Sequence, residues 1–233
     1  MLKYKVQYNN IAKIGSKEYK FKPWNTKNEK DYLIAVESET EITDKKLFDL
    51  LIRPCLEDKD VVLSPNEQKM LIIEIRKKSI GATFSMRYAC TDCKQVNDID
   101  INFDMMVNFT PDEFKSVTTK DENNEDIIFN FGDIASERLR SKLDDTKNSV
   151  EYSFTEFLLH IQSIELQGEL EDTFTFDELK DFIEELPTFI FDEVFKEFRK
   201  MKSTLNFNLK TNCMICNTEN NIVFEKIPNF LWK

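Results

Sequence analysis

Four of the five cysteines in this chain stand in two C-x-x-C pairs, Cys90 with Cys93 in "SMRYACTDCKQV" and Cys213 with Cys216 in "NLKTNCMICNTE". Three chemistries use that spacing. A redox dithiol needs one activated thiolate, usually at a helix N-terminus beside a βαβ pattern. A local disulfide belongs to an oxidising compartment. A metal knuckle turns the chain so that both thiolates face one ion, and two knuckles complete a tetrahedral four-sulfur site for Zn2+. Such a site is closed to water and substrate, so its ion ties two distant stretches together and does no catalysis.

The flanks discriminate between these uses. After Cys93 come Val96, Ile99, Ile101 and Phe103 near alternation, and ahead of Cys213 come Leu205, Phe207 and Leu209 in strict alternation. Each pair is therefore expected at the tip of a hairpin, strand–knuckle–strand. That is a zinc ribbon whose halves are separated by a long insertion, with Cys90, Cys93, Cys213 and Cys216 as the ligands of a structural Zn2+. Unmetallated or redox thiols are the competing reading. Behind each second cysteine, where a left-handed conformation is convenient, stand Lys94 and Asn217 in place of glycine. Asn tolerates that conformation; Lys94 would be strained by it. Cys55, just beyond an apolar helical run, reads as a buried, inert thiol.

The elements that must position these cysteines give an α+β chain. Residues 1–84 read as an N-terminal strand and helix segment, 85–104 and 204–227 as the zinc-ribbon-like β halves, and 105–203 as a mainly helical insertion. Strands are expected in "YKVQY" and "KEYKFKPW", and helices from Glu29 to Glu37 and from Asp44 to Leu51, the last ending before Pro54. Ser64 and Glu67 form a capping box with Pro65 at the first helical position. Leu71, Ile72 and Ile75 then share one face, and Gly81 marks the stop. Arg76, Lys77 and Lys78 suit the negative end of that helix, with contact to an acidic partner as the alternative.

In the insertion, Thr110 with Glu113, Ser153 with Glu156, and Thr175 with Glu178 repeat the cap signature. "TTKDENNED" reads as a polar loop, "IIFNF" as a strand, and the chain beyond Gly132 as mostly helical. Three apolar stripes follow: Phe154, Phe157, Leu158 and Ile161; Leu179, Phe182, Ile183 and Leu186; Phe191, Val194, Phe195 and Phe198. They read as core faces.

Composition excludes other classes. The net charge is −11, which argues against nucleic acid as a partner, and the four glycines are too dispersed to cradle a phosphate. Nine acidic residues against one basic between Glu165 and Glu185 form a solvated face, or a docking surface for a basic partner. The single histidine, His160, sits among apolar residues and reads as structural. No metalloprotease, nucleophile-elbow or P-loop pattern occurs, so an enzyme is the poorer hypothesis. No apolar run spans a bilayer, and the polar start "MLKYKVQYNN" predicts residence in a reducing cytoplasm.

Taken together, "FKPWNTKNEKDYLIA", "LSPNEQKMLIIEIRKKSIG", a C-x-x-C between strands and a second C-x-x-C near the C-terminus resemble the baseplate hub proteins of T4-like contractile-tailed bacteriophages. The resemblance implies a structural or assembly protein of the tail baseplate, made in the host cytoplasm and binding other baseplate or tail proteins. Phe230 and Trp232 in the C-terminal "IPNFLWK" are a candidate anchor for such a partner, with packing back onto their own domain as the equal alternative. A zinc-ribbon protein of nucleic-acid binding or transcription is the alternative, and a thiol oxidoreductase a third possibility.

Overall fold

The computed structural model describes residues 7–38, 46 and 48–224. They fall into two compact units. The first holds the described chain up to Lys59, Leu63–Thr110, and the chain from Thr204 onward; the second holds Asp60–Val62 and Pro111–Ser203. Helices and strands both contribute, so the fold is α+β as expected.

The first unit opens with an antiparallel hairpin, β1 (Asn10–Ile14) and β2 (Lys17–Phe21), in register Ala12 to Tyr19. Alternation buries Ala12, Ile14, Tyr19 and Phe21 on one face. The strand expected in "YKVQY" lies largely outside the described residues, and its last two residues precede β1. Helix α1 (Thr26–Ser38) starts earlier than expected because Asn25 and Asn28 exchange side-chain bonds to each other's backbone N–H, each 3.1 Å. Of the helix expected from Asp44 to Leu51, residues 44, 45 and 47 lie outside the described residues. Phe48–Ile52 forms a π-helical turn that runs on into a 3-10 turn, Arg53–Cys55, with Pro54 inside it.

Helix α2 (Pro65–Ser79) has the expected capping box. Ser64 Oγ accepts from Glu67 N at 3.2 Å, and Glu67 Oε2 accepts from Ser64 N at 2.7 Å. Glu67 is buried and also accepts from Tyr19 Oη and pairs with Lys17 Nζ, both at 3.1 Å. One carboxylate thus fastens the helix start to the β1–β2 hairpin. Of the basic trio at the other end, Arg76 is fully buried, over the Phe103 ring, and donates to the carbonyls of Gly81 and Thr83. Its long side chain ties the helix end to the next strand.

Two hairpins complete this unit. β3 (Thr83–Ala89) pairs antiparallel with β4 (Val96–Asn102), and β10 (Thr204–Asn212) with β11 (Glu219–Phe224). A single-turn helix, α3 (Phe103–Met106), leads from β4 into β5 (Val107–Thr110), which pairs with the other edge of β10. The chain leaves the unit at Thr110 and returns at Thr204, and these two residues face each other in the ladder.

The second unit is richer in strands than expected. β6 (Ser116–Lys120), β7 (Asp126–Phe131), β8 (Ile161–Leu166) and β9 (Glu169–Glu171) form one antiparallel sheet in that order. Part of "TTKDENNED" therefore belongs to β6 and β7, and only its middle turns. The short helix α4 (Glu137–Arg140) is followed by α5 (Ser149–His160), α6 (Phe176–Glu185) and α7 (Thr188–Met201). All three predicted stripes meet in one core with Phe129 and Phe131 of the sheet. Phe157 is at its centre, with the rings of Phe131, Phe191, Phe195 and Phe198 between 5.3 and 5.6 Å away.

Two of the three caps expected in the insertion are corrected. Thr110 ends β5 and no helix follows: Glu113 N donates to Met201 O at 2.9 Å and Asp112 accepts from Ser203 N. The Asp112 carboxylate and the Glu113 amide thus close the unit's two chain ends on each other. Ser153 lies inside α5, whose cap is Asn148, accepting from Val150 N and Glu151 N at 3.0 and 2.9 Å. The third cap is as read, with Thr175 and Glu178 in a capping box.

His160 is buried among Phe114 and Phe198. Its Nδ1–H donates to Gly132 O at 2.7 Å, and Nε2 accepts from Lys202 Nζ at 3.0 Å. Lys202 also pairs with Glu156 at 3.2 Å. Burial, then the Lys202 charge, pushes the imidazole down to about 3. The unfolded chain takes up this proton near pH 6.5 and the folded chain does not, so stability is full above that pH and falls as pH drops toward 3. Urea unfolding of this unit should lose ~2 kcal/mol between pH 7 and pH 5 in wild type beyond the loss in His160→Gln. Equal losses in both would refute the assignment.

Candidate metal centre

The β3–β4 and β10–β11 hairpins carry the two C-x-x-C turns at their tips, as the alternation predicted. Each turn follows the same backbone plan. Cys90 N donates to Gln95 O and Cys213 N to Thr218 O, both at 2.9 Å. Returning bonds run from Lys94 N to Cys90 O at 3.2 Å and from Asn217 N to Cys213 O at 2.9 Å. Within each turn the third residue's amide points at the first sulfur: Asp92 N to Cys90 Sγ and Ile215 N to Cys213 Sγ, both 3.4 Å. Closing the turn demands a left-handed residue after the second cysteine, and Lys94 and Asn217 take φ of 61° and 60°. The strain foreseen at Lys94 is therefore real; its Nζ in turn donates to Thr91 O at 2.5 Å.

The two tips meet. Cys90 Sγ lies 3.6 Å from Cys216 Sγ and Cys93 Sγ lies 3.7 Å from Cys213 Sγ, and all four sulfurs are within 4.8 Å of one another. No pair approaches the ~2.05 Å of a disulfide; all are free thiols. A tetrahedron of sulfurs around an ion at ~2.3 Å has edges of ~3.8 Å, so the spacing fits a four-thiolate metal centre. Cys90 and Cys213 are buried, Cys93 is half-buried and Cys216 is exposed.

The electrostatics point the same way. Hydrogen bonds from Thr218, side chain then backbone, pull Cys216 down to about 6. The amides of Cys216 and Ile215 lower Cys213. At Cys93 the Gln95 amide pulls down, yet desolvation and the three neighbouring sulfurs outweigh it and push the thiol up to about 12. A cluster this tight resists a full set of negative charges until a cation joins them. Neither turn sits at a helix N-terminus, the usual setting of a redox dithiol.

The remaining candidates lie elsewhere. Cys55 is fully buried in the first unit, and burial pushes its thiol up to about 12. His160 belongs to the second unit. The acidic residues from Glu165 to Glu185 are spread over β8, β9, α6 and the turns between, almost all exposed. "IPNFLWK" lies outside the described residues. Asn97 and Asn220 were not singled out from sequence, although each stands seven residues after the first cysteine of its pair, in C-x-x-C-x-x-x-N. Both are almost fully buried beside the sulfurs.

A family model described as "T4 bacteriophage base plate protein" matches residues 3–232, nearly the whole chain. The chain belongs to this family. The resemblance carried by the N-terminal stretches and the two cysteine pairs thus extends across the insertion as well. No curated protein and no solved structure shows a match. Membership of this family implies a structural role in the phage baseplate, with other phage tail proteins as partners. Among the described residues no helix is long and apolar enough to cross a membrane.

The two knuckles give a direct stability test. Replacing Lys94 by Gly removes a left-handed side-chain penalty of ~1–2 kcal/mol and adds back ~0.5–1 kcal/mol of unfolded-chain entropy. Lys94→Gly should therefore raise the denaturation midpoint, while Asn217→Gly stays near neutral. A loss of stability in Lys94→Gly would mean that the Lys94 contact to Thr91 outweighs the backbone strain.

Proposed function

We propose that the chain is a component of the baseplate hub and acts by protein–protein binding, with Cys90, Cys93, Cys213 and Cys216 holding one structural Zn2+. The spacing of the four sulfurs carries the metal reading. Thiolate-only, tetrahedral coordination suits Zn2+, which has no geometric preference of its own and no redox chemistry. The ion staples two hairpins that are far apart in sequence, offsetting on the order of 4 kcal/mol of loop entropy. Assembly then takes place in the host cytoplasm, and the protein ends in the tail baseplate.

The same symmetry between knuckles suggests where a partner sits. Thr91 and Asp92 occupy the first tip, and Thr218 bridges to Asp92 at 3.2 Å. At the second tip the equivalent residues are Met214 and Ile215, 83% and 65% exposed. Since polar residues satisfy the turn equally well, the apolar pair is not required by the fold and offers a contact for another tail protein.

Elemental mass spectrometry on protein purified without added zinc, with melting curves in the presence and absence of chelator, tests the staple. One zinc per chain and a large drop in melting temperature on chelation are expected. Four titratable thiols in an equally stable, metal-free fold would overturn it. For the partner, Met214→Asp with Ile215→Asp should leave metal content and melting temperature unchanged yet prevent incorporation into sedimenting baseplates. Normal incorporation would remove that tip from the interface.

A further inference from the structure

Asn97 follows the first knuckle and Asn220 the second, but each serves the opposite one. Asn97 Oδ1 accepts from Met214 N at 3.0 Å, the amide just after Cys213. Asn220 Oδ1 accepts from Thr91 N at 2.8 Å, the amide just after Cys90, and from Thr91 Oγ1 at 3.0 Å. Each carboxamide is oriented from its own side, Asn97 Nδ2 donating to Gln95 O at 3.0 Å and Asn220 Nδ2 to Thr218 O at 2.8 Å. Both side chains reach a sulfur of the other half: Asn97 Oδ1 lies 3.5 Å from Cys213 Sγ and Asn220 Nδ2 lies 3.6 Å from Cys90 Sγ. At 3% and 2% exposure, neither has water as a substitute partner.

We propose that Asn97 and Asn220 are positioning residues of the metal centre, through which each half of the ribbon completes the other half's knuckle. This rests on the four-cysteine zinc reading and adds a consequence to it. An isolated C-x-x-C turn lacks the acceptor for the amide after its first cysteine, so neither hairpin is a finished half-site. Bringing the hairpins together supplies both acceptors at once, and the four thiolates become geometrically competent in one step. A residue that orients ligands from outside the coordination shell typically changes metal affinity 10–100-fold on removal. The loss should be greater at Asn220, which accepts two bonds from Thr91, than at Asn97, which accepts one from residue 214.

The test is a zinc competition titration with a chromophoric chelator on the full chain, for wild type, Asn97→Ala, Asn220→Ala, Asn97→Asp and Asn220→Asp. Amide hydrogen exchange is followed on the same zinc-loaded samples. Each alanine variant should bind one zinc about 10–100-fold more weakly, Asn220→Ala more so. Exchange should quicken across the site: at Met214 in Asn97→Ala and at Thr91 in Asn220→Ala. The aspartate variants keep the acceptor oxygen and should keep that amide protected, even where the added charge weakens zinc binding. Faster exchange confined to the mutated residue's own knuckle, or unchanged affinity in both alanine variants, overturns the proposal while leaving the zinc site standing. Absence of zinc binding in wild type would instead refute the zinc reading on which it rests.

Discussion

Four sulfur atoms held within 4.8 Å of one another are the constraint on which the first unit depends. Thiols at that spacing are not disulfide-bonded and do not ionise independently, so the arrangement is costly unless something else stabilises it. Its geometry is met by two hairpins that repeat one backbone plan down to the left-handed residue after the second cysteine. A lysine kept in that conformation shows the turn overriding local preference. Sulfurs of the two hairpins face each other across the site, Cys90 with Cys216 at 3.6 Å and Cys93 with Cys213 at 3.7 Å, so the hairpins meet as interlocking halves.

A second device works beside the first. The β5–β10 ladder holds the two ends of the insertion side by side, with Thr110 facing Thr204, while the cysteines join the far tips of the hairpins. Inside the second unit, Asp112 and Glu113 bind Ser203 and Met201, and Lys202 reaches His160 and Glu156. The insertion is thus tied at its own base by side chains and amides from both of its ends. This is why the pattern at Thr110 and Glu113 did not start a helix: those groups already had partners far along the chain.

What could be read in the sequence was what local spacing determines. The two C-x-x-C tips, their flanking alternation, the Ser64 and Thr175 capping boxes and the three Phe-rich stripes all depend on residues within a few positions of each other. Strand partners were harder. β8 and β9 lie in a stretch where an apolar helical stripe runs straight into Ile161, so the change from α5 to strand carries no break in hydrophobicity. The burial of Arg76 could not be read, because nothing local reveals Phe103 beneath its guanidinium. Asn97 and Asn220 were legible in principle, through their equal offset from the cysteines, but their role lies across the site from their own knuckles.

X-ray absorption at the zinc edge, on protein purified without added metal, tests the central claim most directly. The account predicts a single shell of four sulfur scatterers at ~2.3 Å and no nitrogen or oxygen ligand. A shell with fewer sulfurs completed by nitrogen or oxygen, or no zinc edge at all, would contradict it.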